Sequence, residues 1–577
     1  MFASKGGPYS PYYMLDIFVA HVGKGFTKIV PDSSTVLRNL QKQGLPGVVY
    51  GKRGTFIDAQ LLRAGNMFTH EGFGMVVDNE DDQWFALALL NSDLFSFGIN
   101  KYCGQHKQNG YVNLFPSLTK DQRQNSRILA LCKQIYSIRE KWGRTNELDF
   151  LFSGPATQIF VNRGLSLQDR ICQVILVFES DTKEYESIFS ELEEEIQLAY
   201  GLTEEASKEI ERFSLAKPKT FTREWFGFAQ EVGLEYRFLW DEISYLIGIV
   251  FGHFFGIDEI QSLTQSSIEP LARWPIKRPS VSTNISEEVS VCDAGHPRDI
   301  NHLIKDALAN QELGYSYDEL VDLVHLNFKQ DISEWFQKCF FDLHVSVYKW
   351  GSRTAPIYWQ LSTESFKYSI WLYYHHLTQD TFYKVLNDYV KPKLEHEERK
   401  LVSLSQEGSP NSTSSQGKEI AAKEAFVAEL RAFRNEIAII APLWNPNLND
   451  GVIINFAPLW RLVPHHRSWQ KECKDCWDQL VKGDYDWAHL AMHLWPERVV
   501  PKCQTDRSLA IAHGLEEVFW EADDATGKWK PRQVLKEAIA QLIQERSSPA
   551  VKDALRSLLE APAASGSTQT RSRRKKS

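Results

Sequence analysis

The stretch from residue 44 to residue 116 constrains the fold more than any other, because short β-type runs alternate there with one apolar segment. Residues 48–50 (VVY) and residues 72–77 (GFGMVV) are both typical of short strands. Residues 84–91 (WFALALLN) are almost wholly apolar and are therefore buried. So short a run does not show whether it is a helix or a central strand. The stretch predicts a mixed α/β unit.

A basic turn follows the first of these runs. Lys52 and Arg53 lie between Gly51 and Gly54, and glycines on both sides let a tight turn approach another molecule closely. Such a turn suits contact with a phosphate group. The alternative is an ordinary α+β core that carries the two cations on a solvated loop, since two basic residues alone are a weak signal.

Size and composition limit the classes of protein. The chain has 577 residues, which predicts about three or four domains. Its net charge of −9 argues against a protein held on DNA by bulk charge alone, although local basic patches can still bind phosphates. Eight scattered cysteines and no signal peptide predict a reduced, cytoplasmic location, and no apolar stretch is long enough to span a membrane.

The run LALLNSDLFSFGINKYCG followed by NGYVNLFPSL resembles the specificity domain of TaqI-like adenine methyltransferases. The matching residues are Leu90, Asn91, Ser92, Leu94, Phe95, Phe97, Tyr111 and Pro116. The resemblance implies that residues 1–118 form a target-recognition domain that reads DNA.

Further segments resemble PglX, the large adenine-specific methyltransferase of BREX phage-defence systems. They are residues 5–13, residues 244–252 (SYLIGIVFG), residues 292–300 (CDAGHPRDI), residues 340–395 and residues 441–503. The most specific, residues 340–395, contains SRTAPIYWQLS and WLYYHHLTQDT, a basic turn ending at Arg353 beside many aromatic residues. His253 stands where the family has arginine. Most of the aromatic rings should belong to a core, although some could stack on bases.

Helical patterns dominate the rest of the chain. Residues 119–148 predict a helix that ends at Gly143, and residues 181–213 predict a long helix that breaks near Gly201 before a new one begins at Glu204. Residues 385–400 and 419–440 predict a helical hairpin around a flexible linker at residues 403–417. The tail, residues 561–577, is expected to be a disordered basic arm.

Two groups of residues contain side chains of the types that bind metal ions. Asp293, His296 and Asp299 are ligand types, but a loop with internal hydrogen bonds is favoured. The pairs Cys473/Cys476 and His489/His493 could together form a Cys₂His₂ site. Their spacing is not that of a zinc finger, and HLAMH lacks the glutamate of the HExxH motif, so we predict no metal.

The motifs of methyl transfer are missing from the sequence. There is no [NDS]PP[YFW] motif to hold a flipped adenine, no glycine-rich F-x-G-x-G turn for S-adenosylmethionine and no Walker A motif. We therefore expect no catalytic residues and no cofactor in this chain, with S-adenosylmethionine held on a separate catalytic half. By the resemblance, the chain begins inside a longer protein, as a truncation, a split gene product or a separate subunit.

We predict an α+β fold, in which a mixed α/β target-recognition domain precedes largely helical domains. The boundaries expected are 1–118 for target recognition, 119–235 for a helical spacer, 236–400 for the aromatic-rich PglX-like domain, 401–418 for a flexible linker, 419–560 for a mostly helical C-terminal domain and 561–577 for the tail.

The function expected is target recognition for a site-specific, adenine-specific DNA methyltransferase. The residues expected to bind DNA are Lys52, Arg53, Lys101 and Gln105 for direct readout and Arg353 for phosphate. The expected partners are double-stranded DNA, a methyltransferase catalytic half and other phage-defence proteins. Two alternatives stay open, namely a recognition part of a fused restriction-modification enzyme and a scaffold of the defence complex that does not bind DNA.

Overall fold

The computed structural model describes residues 3–4, 9–13, 39–69, 72–149, 151–217, 229–254, 288–291, 293, 295–311, 313–350, 353–407, 414–523 and 528–560. The chain folds into two compact units. The first comprises residues 1–285, 303–332 and 346–353, and the second comprises residues 286–302, 333–345 and 354–577. The boundaries expected after residues 118 and 235 both lie inside the first unit.

Short strands supply the β structure of both units. They are β1 (Ala3–Ser4), β2 (Gly47–Gly51), β3 (Ala59–Leu62), β4 (Met67–Phe68), β5 (Gly72–Val76), β6 (Glu288–Val291), β7 (Lys349–Trp350), β8 (Arg353–Thr354), β9 (Tyr358–Ser362), β10 (Ser369–Tyr373), β11 (Trp520–Ala522) and β12 (Trp529–Pro531). In the first unit, β2 lies between β3 and β5 and pairs antiparallel with both. Both strands predicted near the start of the chain are confirmed.

Helices supply most of the first unit. They are α1 (Glu80–Asn91), α2 (Asp93–Tyr102), α3 (Asn109–Val112), α4 (Lys120–Arg123), α5 (Ser126–Gly143), α6 (Ala156–Ile159), α7 (Leu167–Ala199), α8 (Glu204–Ser214), α9 (Ala229–Val250), α10 (Ile300–Gln311), whose first residues belong to the second unit, and α11 (Tyr317–Phe328).

The apolar run at residues 84–91 is helical, which decides the alternative that the sequence left open. Asn79 caps α1 by accepting a hydrogen bond from the Asp82 N–H, and three acidic residues occupy its first turn. These negative charges stabilise the helix, because they lie at the positive end of its dipole. The run therefore extends a helix that begins several residues upstream.

The helix predicted over residues 119–148 is divided in two. Thr119 caps the single turn α4, and Asn125 then accepts hydrogen bonds from the N–H groups of Arg127 and Ile128. An asparagine side chain in that position starts a new helix. The end at Gly143 is as expected, and so is the break between α7 and α8, where Thr203 caps the new helix.

Residues 90–92 form the LNS motif, and its second residue, Asn91, joins the sheet to helix α1. Its side-chain amide accepts a hydrogen bond from the Ala59 N–H and donates one to the Ala59 carbonyl, both at 2.8 Å, and it also donates to the Leu87 carbonyl at 3.0 Å. Asn91 is buried. This residue therefore fixes the position of β3 against α1.

The next residues of the motif hold α2 in place. Ser92 caps α2, and the buried Glu193 carboxyl accepts two hydrogen bonds from the Asp93 N–H. The Lys217 ammonium donates to the Asp93 carboxylate at 2.7 Å and to the Asn91 carbonyl at 2.5 Å. The motif thus has a structural role in placing α2 and the loops that flank it.

Several carboxyl groups of the first unit have raised pKa values because the surrounding protein shields them from water. Burial raises the pKa of Asp58 to about 7 and that of Asp241 to about 6. Burial, aided by the nearby Asp93 charge, raises the pKa of Glu193 to about 8. Burial raises the pKa of Glu147 to about 7, against a hydrogen bond from Ser244. A carboxyl group with a raised pKa keeps its proton to a higher pH in the folded chain than in the unfolded chain. Its contribution to the stability of the fold is therefore fully present at low pH and is lost as the pH rises through the folded pKa.

We expect the free energy of unfolding of the first unit to fall between about pH 5 and pH 8, since each such group contributes up to about 1.4 kcal/mol per pH unit. Glu147→Gln keeps an acceptor for the Ser244 hydroxyl, which donates at 2.7 Å, but removes the titration. Urea unfolding at several pH values should show this variant losing about 2–3 kcal/mol less than the wild type over that range. Equal slopes for the two proteins would contradict the assignment to Glu147.

The second unit is built on a small antiparallel sheet in which β10 lies between β6 and β9. Every residue of these three strands is buried. The Trp359 ring packs edge-on against Phe456, with ring centroids 4.6 Å apart. Tyr358, Tyr368, Trp371, Tyr373 and Tyr374 are buried too. The aromatic-rich segment is therefore core, as we expected for most of its rings.

Helices surround this sheet. They are α12 (Ile332–Trp335), whose first residue belongs to the first unit, α13 (Phe341–Val347), whose last two residues do so too, α14 (Thr381–Lys384), α15 (Lys391–Glu407), α16 (Ser414–Ile440), α17 (Val452–Phe456), α18 (Arg467–Lys482), α19 (His489–Leu494), α20 (Pro496–Lys502), α21 (Arg507–Ala512), α22 (Glu516–Phe519), α23 (Lys536–Glu545) and α24 (Pro549–Glu560). One-turn π-helical segments at Phe336–Phe340 and Val385–Val390 precede α13 and α15.

The predicted helical hairpin is present, and both of its helices extend into the segment that we predicted to be a flexible linker. Helices α15 and α16 pack together, and Arg431 pairs with Glu398 at 2.7 Å. Residues 403–407 and 414–417, which we predicted to be flexible, are helical. The Ser405 hydroxyl donates to the Leu401 carbonyl one turn back, so this serine is satisfied inside the helix.

The predicted α+β class, with largely helical domains after the first sheet, is confirmed. The basic tail expected at residues 561–577 lies outside the described residues. No helix in the described part of the chain combines the length and the apolar character needed to cross a membrane.

Candidate nucleic-acid interface

Two loops of the first unit lie side by side at the end of β2. The first loop, residues 51–56, contains the predicted basic turn, and the second loop, residues 103–108, follows α2. The Gly54 N–H donates to the Gln105 carbonyl at 3.0 Å, and the Lys107 N–H donates to the Lys52 carbonyl at 2.8 Å. Arg53 and His106 form an antiparallel bridge between them. The fold therefore brings together three of the predicted DNA-binding residues, Lys52, Arg53 and Gln105.

Both glycines of the first loop are required by its geometry. Gly54 has a φ of 128°, a conformation that other residues rarely adopt. At Gly51, a Cβ atom would lie 2.9 Å from the Asp58 carboxylate oxygen. Asp58 is buried and accepts hydrogen bonds from the backbone N–H groups of Gly51 and Ser10. The buried Asp58 carboxylate thus holds the turn in place.

Asn100 and Lys107 connect the two loops to α2. The Asn100 amide donates to the Thr55 carbonyl of the first loop at 2.7 Å. The buried Lys107 ammonium donates to the Asn100 amide oxygen at 2.8 Å and to the Gly104 carbonyl at 2.6 Å. Burial lowers the pKa of Lys107. These bonds hold the second loop against the first and leave the ends of both loops at the surface.

The side chains that the loops present are polar, basic or aromatic. Arg53, Gln105 and His106 are exposed, and Lys52 is half-buried. Tyr102 and Tyr111 flank the second loop and are 47% and 41% exposed. We call these six residues the two-loop surface. Its cations suit phosphate contact, and exposed aromatic rings offer faces for stacking.

Lys101 does not share this environment. It lies in the last turn of α2, where its ammonium is 3.7 Å from the Glu209 carboxylate and 4.4 Å from the centre of the Phe97 ring. Its charge is therefore partly balanced by Glu209 on α8. Any contribution of Lys101 to DNA binding would require it to exchange this exposed ion pair for a phosphate, at little cost.

For Arg353, the structure describes only the backbone. It begins β8, which pairs with β7, and its side chain lies outside the described part of the structure. The predicted phosphate contact of Arg353 therefore stays a prediction.

The first candidate group of metal ligands, Asp293, His296 and Asp299, makes contacts within its own loop and with its neighbours. The Asp293 N–H donates to the Asp299 carboxylate, and the Arg298 N–H donates to the ring of His296. The Asp293 carboxylate pairs with Lys393 at 2.9 Å. The loop is held by internal hydrogen bonds, as we favoured.

The two cysteines of the other candidate metal site, Cys473 and Cys476, are buried, and burial raises the pKa of the Cys476 thiol to about 12. His489 is bonded to the Asp450 carboxylate instead, at 2.8 Å. Across the described ranges, no three His, Cys, Asp or Glu side chains form a group that could hold a metal ion.

Sequence reasoning missed His106, Lys107, Asn100 and Tyr102 as parts of the site. The polar run at residues 104–110 (GQHKQNG), which Cys103 separates from Tyr102, was a usable signal, because glycines at both ends of a polar segment mark a loop. Its pairing with the basic turn was not visible, because it is a backbone contact between distant segments.

The geometry of the first loop gives a direct test. We expect Gly54→Ala to cost about 1–3 kcal/mol of stability, because alanine is strained at a φ of 128°. Relief of that strain would displace Arg53. Gly104→Ala in the second loop is the matched control, since a Cβ there would meet no atom within 4 Å. Thermal unfolding should separate the two variants, and equal melting temperatures would contradict the strained turn.

Comparison of the chain with protein-family models and with curated proteins found no match.

Proposed function

We propose that this chain is the DNA target-recognition part of a site-specific, adenine-specific DNA methyltransferase of a phage-defence or restriction-modification system. The observation that carries the proposal is the two-loop surface, in which the loop of Lys52 and Arg53 pairs with the loop of Gln105 and His106, and exposed tyrosines flank the second loop along the chain. The resemblance of residues 90–116 to TaqI-like specificity domains supports the same function.

The chemistry of the surface suits the reading of adenine. The Gln105 side chain offers one donor and one acceptor, the pair that matches the N7 acceptor and N6 donor of adenine in the major groove. Lys52 and Arg53, expected from the sequence to read bases directly, would instead hold the neighbouring phosphates and fix the register of the protein on the duplex, because a tight basic turn suits phosphate contact. The loops are tied to each other and to α2, so these groups would be positioned before DNA binds.

The catalytic half would be a separate chain or domain. The sequence has no motif for S-adenosylmethionine or for a flipped adenine. We therefore propose that this chain grips the duplex and presents its site to a partner that transfers the methyl group. By itself it would bind DNA without modifying it.

Binding of duplex DNA over a salt series tests the proposal. We expect the logarithm of the binding constant to fall linearly with the logarithm of the salt concentration, because phosphate contacts release counterions. Transfer of labelled methyl groups from S-adenosylmethionine, assayed in the same samples, should stay at background. Absence of binding at low salt would favour a scaffold of the defence complex, and methylation by this chain alone would contradict the proposal.

A further inference from the structure

A surface pocket of the second unit contains polar groups that the proposed function does not use. Its volume is about 550 Å³, within the usual range for small-molecule sites. The polar residues that line it are Asn445, Asn447, His489, His493, His513 and Arg546. They come from separate helices and loops of one unit, and none of them is a carboxylate.

The imidazole of His489 is fixed by Asp450 at one side of this pocket. The buried Asp450 carboxylate accepts a hydrogen bond from the His489 ring Nδ1 at 2.8 Å. It also accepts the backbone N–H groups of His489 and Leu490, each at 2.9 Å. Because a carboxylate only accepts hydrogen bonds, Nδ1 carries the hydrogen. The Nε2 atom of this partly exposed ring has no hydrogen-bond partner among the described residues, and in the neutral ring it can accept a hydrogen bond from a hydroxyl or amino group of a ligand.

The amide side chains of the pocket are oriented as donors. The Asn445 amide oxygen accepts a hydrogen bond from the Gln379 amide at 2.7 Å, and the Asn447 amide oxygen accepts one from the Asn449 N–H at 3.0 Å. With both oxygens engaged, each NH₂ group can donate to a ligand. The pocket therefore offers donors from two neighbouring side chains.

Arg546 adds a positive charge to these donors. Its guanidinium makes one long hydrogen bond, to the Leu542 carbonyl at 3.3 Å, and its remaining N–H groups can serve a ligand. Two further imidazoles, His493 and His513, also line the pocket, and His493 has a buried Nε2 without a partner in the described structure. Pro446, Met492 and Ala512 supply apolar surface.

We propose that this pocket binds a small molecule that carries a phosphate monoester. Arg546 supplies the opposite charge, and its N–H groups together with the Asn445 and Asn447 amides are more donors than the two oxygens of a carboxylate need, so they suit the several oxygens of a phosphate. The apolar residues would pack against the organic part of the ligand. The proposal does not depend on DNA recognition, because the lining residues belong to the second unit and the two-loop surface belongs to the first.

Isothermal titration of the full chain with inorganic phosphate, adenosine 5′-monophosphate and adenosine tests this site. We expect both phosphate-bearing probes to bind and adenosine to bind far more weakly. Arg546→Gln should weaken the binding of adenosine 5′-monophosphate at least about tenfold, or about 1.4 kcal/mol. Arg546→Lys should retain part of it, because the charge remains while the planar fork is lost.

Arg556→Gln is the matched control. Arg556 is an exposed residue of α24 that pairs with Asp553, so its loss changes the net charge equally without touching the pocket. It should bind adenosine 5′-monophosphate as the wild type does. The proposal would be overturned if neither phosphate probe binds at millimolar concentration, if adenosine binds as tightly as its monophosphate, or if Arg546→Gln binds as tightly as Arg556→Gln.

Discussion

Replacing both Lys52 and Arg53 with glutamine is expected to weaken the binding of duplex DNA at least about tenfold near 0.1 M salt. The two residues follow β2 in the first loop, and their backbones pair with those of Lys107 and His106. Each lost phosphate contact should also reduce the slope of the salt dependence by about one, and hence by about two for the pair. Fluorescence anisotropy over a salt series measures both quantities.

The matched control for this variant replaces Lys183 and Lys208 with glutamine. Both are exposed lysines of the first unit, on α7 and α8, and the double replacement removes the same net charge. It should leave the salt slope nearly unchanged. If both double variants weaken binding equally, the chain binds DNA through its general charge, and the two-loop surface has no special part in it.

The largest effect on stability is expected from Asn91→Ala. This change removes the three hydrogen bonds of the buried amide and leaves the Ala59 N–H without its side-chain partner, whereas the Ala59 carbonyl still accepts a hydrogen bond from the Tyr12 N–H at 2.7 Å. A buried group that loses its partner costs about 1–3 kcal/mol and each further lost hydrogen bond about 1 kcal/mol, so the first unit should lose about 3 kcal/mol of its free energy of unfolding. Urea unfolding measures the loss.

Asn113→Ala provides the comparison for this change. Asn113 is exposed at the end of α3, and replacing an exposed residue of this kind usually changes stability by less than about 0.5 kcal/mol. A stable Asn91→Ala protein that lost DNA binding would contradict our interpretation. It would indicate that the asparagine of the LNS motif reads DNA directly instead of placing β3 against α1.

Local signals in the sequence were sufficient for many elements. The break between α7 and α8 was visible in Gly201 and in the cap at Thr203, and the end of α5 was visible at Gly143. These features depend on residues that are close together along the chain. A cap or a left-handed glycine acts within one helical turn, which is why a sequence alone can reveal it.

Contacts between distant segments were not visible. The pairing of Lys52 with Lys107 and the role of Asn91 both depend on residues brought together by the fold. The prediction of a flexible Ser-rich linker was partly wrong for a different reason. Its composition is typical of flexible segments, but Ser405 bonds to the Leu401 carbonyl within α15, and the helix continues to Glu407.

Aromatic content alone did not separate a stacking surface from a core. The rings of Tyr358, Trp359 and Trp371 are buried in the second unit, whereas Tyr102 and Tyr111 of the first unit are exposed. The difference depends on the neighbours of each ring in the fold. For the candidate site, the sequence provided Lys52, Arg53 and Gln105, and the structure adds the loop that joins them.

Selection from a pool of random duplex DNA tests the central claim most directly. The chain is mixed with the pool, and the bound fraction is sequenced after repeated rounds. We expect enrichment of one short sequence that contains adenine, with Gln105→Ala relaxing the preference at one position and the Lys52/Arg53 double variant recovering little DNA. A bound fraction with the same sequence composition as the starting pool would contradict target recognition by this chain.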